Sequence, residues 1–292
     1  MKKFTLFTLI ILLFTVNFSY AKQLSVGSIS SDPAKENRRF KPFIDYLSQN
    51  LKESGIDSVE LVIASSLDEM IQLMRHGDVD IFLDSPFPSL TMMDAGVSKI
   101  VLSRWNKGVE KYHSVIFVRR DSDIRSIFDL KNKIIAFEEP FSTSSYYIPK
   151  ASILQESLLM KELSSRHQAI PEDEIGYVFS DDDVNTVTWV RKKLVDAGAI
   201  NDITFNSLKD KFKDSLRIIF NSIEVPRQVV NFRIGMDSKL EEALIEVLIS
   251  MSENEYGKEQ LKAFENTKRF DRFTKSIEET MLPLRNLAKY IK

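Results

Sequence analysis

The chain has 292 residues, of which 43% are hydrophobic, and this is enough to form one large core or two smaller ones. Its 40 Lys and Arg residues nearly balance its 42 Asp and Glu residues, so its charge gives no sign of a nucleic-acid partner. The sequence contains no Cys, which excludes disulfides and cysteine metal ligands. These features indicate a soluble globular protein.

Residues 1–21 have the pattern of a secretory signal peptide. A short basic start precedes the apolar run Phe4–Val16, and the small residues Ser19 and Ala21 stand where a signal peptidase requires them. The run is shorter than a membrane span, and no stop-transfer pattern follows it. We therefore predict that the segment is removed during export. The alternative is an uncleaved membrane anchor.

Apolar strands alternate with helices in the next part of the chain. Short apolar runs predict strands over Leu24–Ile29, Val59–Ala64 and Val79–Leu83. Apolar residues at helical spacing predict helices over Lys41–Leu51 and Asp68–Arg75. A strand–helix–strand order is typical of a mostly parallel sheet covered by helices.

A second set of elements repeats this order before a largely helical tail that starts near Leu240. The predicted strands of this set are Ser114–Val118, Ile134–Phe137, Ile175–Phe179 and Val195–Ile200. The predicted helices are Ile127–Leu130 and Val184–Leu194. Two α/β units of similar layout predict two lobes that face each other. Because ligands bind beyond the carboxyl ends of the strands in such sheets, the cleft between the lobes is the expected site.

The most unusual stretch is PFSTSSYYIP, at residues 140–149. Four consecutive hydroxyl side chains, on Ser142, Thr143, Ser144 and Ser145, stand where a predicted strand ends and a helix begins. Hydroxyls and the free amides of a first helical turn are donors that suit an oxyanion. Taken alone, the row also allows a second interpretation, in which Ser142 only caps the helix and the other hydroxyls lie on the surface.

No catalytic or metal-binding motif accompanies this row. The three histidines, His76, His113 and His167, lie far apart in sequence, and none is placed to activate a serine nucleophile. The run Asp181–Asp183 lacks the alternation of ligands and glycine that a calcium loop needs. The sequence therefore predicts no enzyme activity, no cofactor and no metal.

Residues 112–153, YHSVIFVRRDSDIRSIFDLKNKIIAFEEPFSTSSYYIPKASI, resemble the periplasmic phosphate-, phosphite- and phosphonate-binding proteins of ABC transporters. They are similar to a tyrosine-led strand, a DL-K-K helix and strand, and a D-P-x-S-T-S-G-Y-x-x-P signature of that family. VDAGAIND at 195–202 and EVPRQVV at 224–230 resemble later family blocks. The resemblance implies the type II periplasmic binding protein fold, an α/β fold with two lobes. Each lobe is a mostly parallel sheet flanked by helices, and the ligand cleft lies between them.

The resemblance also implies roles for single residues. The hydroxyls of Ser142–Ser144 would grip the oxyanion, with Ser145 in the same row, while Asp84 and Ser85 would close the cleft from the other lobe. The chain departs from the family pattern in four places. Glu139 stands where Asp is usual and Ser145 where Gly is usual, DSPFP at 84–88 replaces a turn that commonly contains Gly-Pro, and the acidic DDDVN at 181–185 stands where many members have a His.

Carboxylates and aromatic rings complete the expected site. Family members that bind an aminoalkyl phosphonate hold its ammonium group with carboxylates, and the candidates here are Asp183, Asp202 and Glu224. Tyr112 and Tyr146 are further candidates, because an aromatic ring with a polar tip suits both the apolar part and the oxygens of a small ligand.

We therefore predict a periplasmic solute-binding protein that captures a phosphonate, phosphite, phosphate or related oxyanion for an ABC importer. The first lobe is expected from residues 22–108 and 225–292, and the second from 109–224. The expected partners are the oxyanion and an ABC permease in the inner membrane, and the expected state is a monomer. Three alternatives stay open: a periplasmic sensor that feeds a histidine kinase, a binder of a different small anion, and a hydrolase on the same fold.

Overall fold

The computed structural model describes residues 22–291, apart from the side chains of residues 276 and 277. The predicted signal peptide therefore lies outside the described residues. Within the described range the chain forms two six-stranded sheets with helices on their faces. No helix in that range combines the length and the apolar composition needed to span a bilayer.

The strands and helices are numbered along the chain. The strands are β1 (Gln23–Ile29), β2 (Ser58–Ala64), β3 (Ile81–Asp84), β4 (Ser98–Arg104), β5 (Lys111–Arg119), β6 (Ile134–Phe137), β7 (Met160–Glu162), β8 (Ile175–Phe179), β9 (Ala197–Asn201), β10 (Leu216–Pro226), β11 (Gln228–Arg233) and β12 (Phe270–Arg272). The helices are α1 (Pro33–Asn50), α2 (Leu67–His76), α3 (Pro86–Asp94), α4 (Ile148–Gln155), α5 (Asp183–Arg191), α6 (Asp202–Asn206), α7 (Asp210–Lys213), α8 (Ser238–Ser250), α9 (Glu255–Ala263), α10 (Lys275–Glu279) and α11 (Leu282–Leu287).

Both sheets follow one layout. The first has the order β12-β4-β11-β3-β1-β2, and the second has the order β10-β5-β9-β6-β8-β7. In the first sheet β1 is parallel to β2 and β3, while β11 runs antiparallel between β3 and β4. In the second sheet β6 is parallel to β8 and β9, while β5 runs antiparallel between β9 and β10. The two α/β units predicted from the sequence are therefore confirmed as two lobes of the same architecture.

Helix α3 was not predicted from the sequence. Its first residues, in the stretch DSPFP, read as a turn because they include Pro86 and Pro88. Both prolines stand in the first helical turn, where a missing N–H loses no intrahelical hydrogen bond. The helix therefore starts immediately after Ser85, its N-cap residue.

The parallel strands of both sheets end toward the space between the lobes. Strands β1, β3 and β9 end at Ile29, Asp84 and Asn201, which all line that space. Strand β6 ends one position before Glu138, which lines it as well. Because a parallel strand presents its carboxyl end at a fixed edge of the sheet, the fold brings these distant positions together.

The chain crosses between the lobes twice. It leaves the first sheet after Arg104 and enters the second at Lys111, and it returns between Pro226 and Gln228. Arg227 is the residue between those two strands, and its amide donates to the Glu110 carbonyl at 2.7 Å. The two crossings therefore lie side by side. Strand β10 extends slightly past the lobe boundary expected from the sequence.

The C-terminal helix α11 packs against both lobes. Leu284 is buried in one cluster with Leu90 of α3 and Ile148 of α4. Arg285 Nη1 lies 3.1 Å from Asp94 Oδ1, which ties the same helix to α3. The expected boundaries assign the whole tail to the first lobe. The apolar face of α11 covers the crease between the lobes, so this part of the tail contacts both of them.

Candidate functional site

A cavity of about 460 Å³ lies between the lobes, where the parallel strands end. This volume is in the range of small-molecule sites. The purely hydrophobic side chains in its walls are those of Ile29, Leu83 and Phe141, and the rest of the lining is polar, charged or tyrosine. The lining residues that the sequence predicted for the site are Asp84, Ser85, Tyr112, Ser142, Ser144 and Asp183. The cavity is built for a polar ligand.

The hydroxyl row forms a tight turn that starts a helix. Ser142 is the N-cap, because its Oγ accepts a hydrogen bond from the Ser145 amide at 3.2 Å and also donates to Glu138 Oε2 at 3.0 Å. Residues Thr143–Tyr147 form a π-type turn that leads into α4, with the Tyr147 amide donating to the Ser142 carbonyl at 2.9 Å. Ser142 therefore caps the helix and lines the cavity, so the two interpretations of this residue are compatible.

Two amides of this turn point to a role in binding. Within residues 22–291 the amides of Thr143 and Ser144 donate to no protein acceptor, as expected for the first amides of a helix. The Ser144 side chain lines the cavity although the residue is only 4% exposed. The turn that lines the cavity through Ser142 and Ser144 thus carries free amides and a hydroxyl, which are the donors that suit an oxyanion.

Thr143 links the two lobes. Its Oγ1 donates to Ser85 Oγ at 2.9 Å and accepts from the Phe87 amide at 2.8 Å, and both partners lie at the start of α3 in the first lobe. The rings of Phe87 and Tyr147 stack beside this link with their centroids 4.0 Å apart. Thr143 Oγ1 therefore makes two hydrogen bonds across the cleft, and these bonds hold the two lobes together in this structure.

Ser145 supports the site from behind. It is fully buried, and its Oγ donates to Asp183 Oδ1 at 3.3 Å, while Asn201 Nδ2 donates to Asp183 Oδ2 at 3.4 Å. Asp183 itself lines the cavity. A Gly at position 145 would remove the first of these bonds, so this departure from the family pattern changes how Asp183 is held.

Tyr112 lies at the back of the cavity and is 1% exposed. Its hydroxyl makes no hydrogen bond of normal geometry within the described chain, although the hydroxyls of Ser144 and Thr143 lie near it. Burial raises the pKa of Tyr112, while the Arg227 guanidinium, stacked 4.5 Å from the ring centroid, acts in the opposite direction. A buried hydroxyl without a partner is a natural contact for a ligand.

Two carboxyl groups of the second-lobe wall, those of Glu138 and Glu139, make no ion pair within residues 22–291. Burial, followed by the charges of Asp183 and Glu139, raises the pKa of Glu138 to about 8. Burial, followed by the charges of Asp84 and Asp181, raises the pKa of Glu139 to about 7. Despite this concentration of carboxylates, no group of three or more acidic or histidine side chains in the described range could hold a metal ion.

The first-lobe wall carries charges that are already paired. Arg39 contacts Glu36 and lies 3.5 Å from Glu265, and Glu265 lies 3.1 Å from the buried Arg104. Arg104 also donates to Gln228 Oε1 at 2.6 Å. Burial alone would raise the pKa of Glu265, but the charges of Arg104 and Arg39 hold it at about 2.

Four residues expected in the site do not line the cavity: Thr143 and Ser145, described above, and Tyr146 and Asp202. The Tyr146 ring packs against Phe137 and Phe179 with centroids 5.4 and 5.1 Å away, because the turn directs it into the second-lobe core. Asp202 starts α6, where its Oδ1 accepts from the His113 amide at 3.0 Å. The further candidate Glu224 is exposed on β10.

Sequence reasoning missed most of the cations in the cavity. Lys35, Arg39, Lys107 and Arg227 all line it. A signal was available only for Arg227, which stands inside the EVPRQVV block that resembles the family. The other three lie in segments that carried no recognisable motif.

Comparisons with known proteins agree with this geometry. The chain is 27% identical over 136 residues to the phosphate-import protein PhnD of Mycolicibacterium smegmatis, a match that covers 45% of this chain and 42% of that protein. It is similar to the structure of XAC2383 from Xanthomonas citri bound to chloride, with 27% identity, a TM-score of 0.87, and coverage of 91% of this chain and 97% of that one. PhnD1 from Prochlorococcus marinus, in complex with methylphosphonate, shares the fold at 21% identity and a TM-score of 0.67, covering 91% of this chain and 99% of that one.

The family assignment rests on a match over most of the chain. Residues 27–277 match the family described as ABC transporter, phosphonate, periplasmic substrate-binding protein. The fold and the resemblance predicted from residues 112–153 are thereby confirmed. The chain therefore belongs to the phosphonate ABC-transporter periplasmic substrate-binding proteins, a family that binds solutes for transport and is not a family of enzymes.

Proposed function

We propose that the protein captures a small ligand bearing a phosphonate, phosphate or related oxyanion and delivers it to an ABC permease in the inner membrane. The ligand binds in the cavity between the lobes. Membership of a periplasmic substrate-binding family supports this function. The signal-peptide pattern of residues 1–21 supports export, and a monomer is the expected state.

The observation that carries the proposal is the turn Ser142–Ser144 at the cavity wall. The free amides of Thr143 and Ser144 and the Ser144 hydroxyl supply neutral donors where a helix begins. A helix N-terminus favours negative charge, and neutral donors hold an oxyanion reversibly. Reversible binding is what a transport protein needs, because the ligand must be released to the permease.

Closure of the lobes would couple binding to delivery. The cavity is lined from both lobes, and the Thr143–Ser85 hydrogen bond forms across the cleft. A ligand that contacts both lobes binds the closed form more tightly than the open form and shifts the population toward it. The permease would then recognise the closed form. The lobes are assigned as residues 22–108 with 225–292, and 109–224, with α11 covering both.

The relatives support an oxyanion ligand. One curated relative is named a phosphate-import protein, and one solved relative is a complex with methylphosphonate. XAC2383 has been solved with chloride and, separately, with ATP. These ligands all carry negative charge. Phosphate and methylphosphonate are small oxyanions, the kind of ligand that the neutral donors of the Ser142–Ser144 turn suit.

The test is a ligand screen of the protein without residues 1–21. Phosphate, phosphite, methylphosphonate, 2-aminoethylphosphonate, sulfate and taurine are screened by thermal shift, and calorimetry gives the affinity of the best ligand. A ligand at a hundred times its Kd stabilises the native state by about 2.7 kcal/mol, so a true ligand is readily seen. A protein that responds to none of the phosphorus oxyanions contradicts the proposal.

Two variants locate the site. Ser144→Ala removes a donor from the turn and should weaken the best ligand about 5- to 150-fold, which corresponds to about 1–3 kcal/mol for an unmade buried hydrogen bond. Ser58→Ala, on the exposed start of β2, is the matched control and should leave the affinity unchanged. Equal affinities for the two variants would show that the turn is not the oxyanion site.

A further inference from the structure

Two cations in the cavity have no partner in the protein. Lys107 and Arg227 both line the cavity, yet within residues 22–291 neither side chain makes a hydrogen bond or an ion pair. Arg227 Nε is buried without an acceptor. The other lining cations differ, because Lys35 lies 3.6 Å from Asp182 and Arg39 is paired with glutamates.

Each of these cations belongs to one of the two crossings between the lobes. Arg227 is the residue between β10 and β11, and Lys107 lies in the short turn Asn106–Gly108 between β4 and β5. Lys107 has a φ of 53°, a left-handed conformation that is uncommon for a residue with a side chain. Its amide donates to the Glu265 carbonyl at 3.2 Å, which helps to hold this conformation.

Both cations line the same cavity as Ser142 and Ser144 of the hydroxyl turn. Asp183, which accepts the Ser145 hydroxyl, is a shared neighbour: burial raises its pKa, and Thr204, Lys107 and Arg227 act in the opposite direction. Arg227 also stacks on the Tyr112 ring at 4.5 Å, and the hydroxyl of that ring lies beside Ser144. A ligand held by the turn therefore lies in the same cavity as both cations.

The charge of the ligand explains why two cations would be left unpaired. A guanidinium in a partly buried site is costly unless an anion accompanies it, and the cavity walls offer Arg227 no bonded carboxylate. Neutral donors bind any oxyanion, whereas each cation adds attraction for every further negative charge. Two free cations next to a neutral turn make a site that distinguishes a dianion from a monoanion of the same shape.

We propose that Lys107 and Arg227 bind the same oxyanion as the Ser142–Ser144 turn and make the protein selective for oxyanions with two negative charges. The ligand class is therefore dianions such as phosphonates, phosphate and phosphate monoesters, with inorganic sulfate allowed by its charge, and the monoanionic sulfonates and sulfate esters are disfavoured. This inference rests on the proposed function and specifies the ligand charge at that site.

Methyl phosphate and methyl sulfate test the proposal because they have the same shape and different charge. At pH 7 methyl phosphate is mostly a dianion, since the second pKa of a phosphate ester is about 6, and methyl sulfate is a monoanion. Glu138, whose pKa is about 8, remains mostly protonated at this pH. Calorimetry of the wild type should give at least ~10-fold tighter binding of methyl phosphate, because charge-assisted hydrogen bonds are the stronger ones. Comparable affinities for the two ligands would overturn the proposal.

Variants assign the selectivity to the two cations. Arg227→Gln and Lys107→Gln should each weaken methyl phosphate about 10- to 150-fold and methyl sulfate much less, so the ratio between the ligands shrinks. Arg227→Lys, which keeps the positive charge, should retain more of the preference for methyl phosphate over methyl sulfate than Arg227→Gln does. Lys192→Gln, on an exposed residue after α5, is the control and should keep it.

The outcomes separate this inference from the proposed function. If phosphate, methylphosphonate and methyl phosphate all fail to bind the wild type, the proposed function is wrong. If they bind and both Gln variants keep the wild-type ratio, or lose both ligands equally, the function stands and the charge selection is wrong. Circular dichroism and thermal melting confirm that each variant is folded, and Lys107→Gln decides the question if Arg227→Gln does not fold.

Discussion

The two walls of the cavity carry the same residue type in opposite electrostatic states. Glu265, on the first-lobe wall, lies between Arg104 and Arg39, and its pKa is held at about 2. Glu138, on the second-lobe wall, has a serine as its hydrogen-bond partner, and its pKa is raised to about 8, chiefly by burial. Both glutamates line the cavity, so the neighbours of each carboxyl decide its charge.

This difference indicates that the two walls have different roles in ligand binding. On the first-lobe wall, Arg39, Glu265 and Arg104 form a network of charges that satisfy each other, so we expect this network to remain unchanged whether or not a ligand is bound. The second-lobe wall contains a turn with free amides and two carboxyl groups with raised pKa values, those of Glu138 and Glu139. We expect the protonation of these carboxyl groups to change when a ligand enters the cavity. The first wall is therefore a scaffold, and the second is the part that we expect to respond to a ligand.

Breaking the paired wall should have the largest effect on stability. Arg104→Met leaves Glu265 as a buried charge that has lost its nearest partner, and loss of one member of a buried pair costs about 3–5 kcal/mol. Urea unfolding measures the free energy of unfolding. Arg269→Met is the control, because its pair with Asp271 is exposed and should contribute no more than about 1 kcal/mol. Similar losses in the two variants would mean that the network does not stabilise the fold.

The unpaired wall should make stability depend on pH. An unfolded Glu titrates near 4.5, whereas Glu138 in the folded protein holds its proton up to about 8. Between these values the native state binds more protons than the unfolded state, so the free energy of unfolding falls as pH rises. Glu139, on the same wall, and Asp84, at the end of β3 on the first-lobe wall, have pKa values raised to about 7 and about 6 and act in the same direction.

Glu138→Gln tests this dependence. The variant should lose less stability than the wild type between about pH 5 and about pH 8, and urea unfolding at several pH values measures the difference. Glu172→Gln, on an exposed loop residue, is the control and should follow the wild type. A Glu138→Gln curve parallel to that of the wild type would show that this carboxyl is not held protonated.

The smallest effect is expected where the two walls meet at the surface. Lys35 Nζ lies 3.6 Å from Asp182 Oδ2 across the cleft, and both side chains are largely exposed. Lys35→Ala should weaken ligand binding by at most about 1 kcal/mol, because exposed ion pairs contribute little and are screened by salt. Calorimetry at low and high salt measures this, and a large loss that persists in high salt would contradict it.

The strands and helices that carry strong local patterns were predictable from the sequence. The predicted strand Leu24–Ile29 corresponds to Gln23–Ile29, and the predicted helix Asp68–Arg75 corresponds to Leu67–His76. Both have clear periodicity and, for the helix, a capping Ser and a terminal Gly. Helix α3 was missed because its prolines resemble a turn, and β12 was missed because a three-residue strand has no detectable period.

The site was only partly predictable. The Ser142–Ser144 turn is local in sequence, so its chemistry could be inferred before its geometry was known. The paired wall joins Arg39, Arg104 and Glu265, which are far apart along the chain, and no spacing rule links them. Tyr146 was misplaced for a related reason: its neighbours Ser144 and Tyr147 face the cavity and α3, but the direction of a side chain in a π-type turn cannot be obtained from the sequence.

The single residue between β10 and β11 determines what kind of motion the molecule can make. One residue spans no more than about 3.6 Å, so the lobes cannot be pulled apart at Arg227. Opening must be a rotation, in which torsion changes at Arg227 and residues 105–110 swing one lobe about this edge. The displacement then grows with distance from the pivot, so the rim near Lys35 travels farthest while the cavity floor at Tyr112 hardly moves.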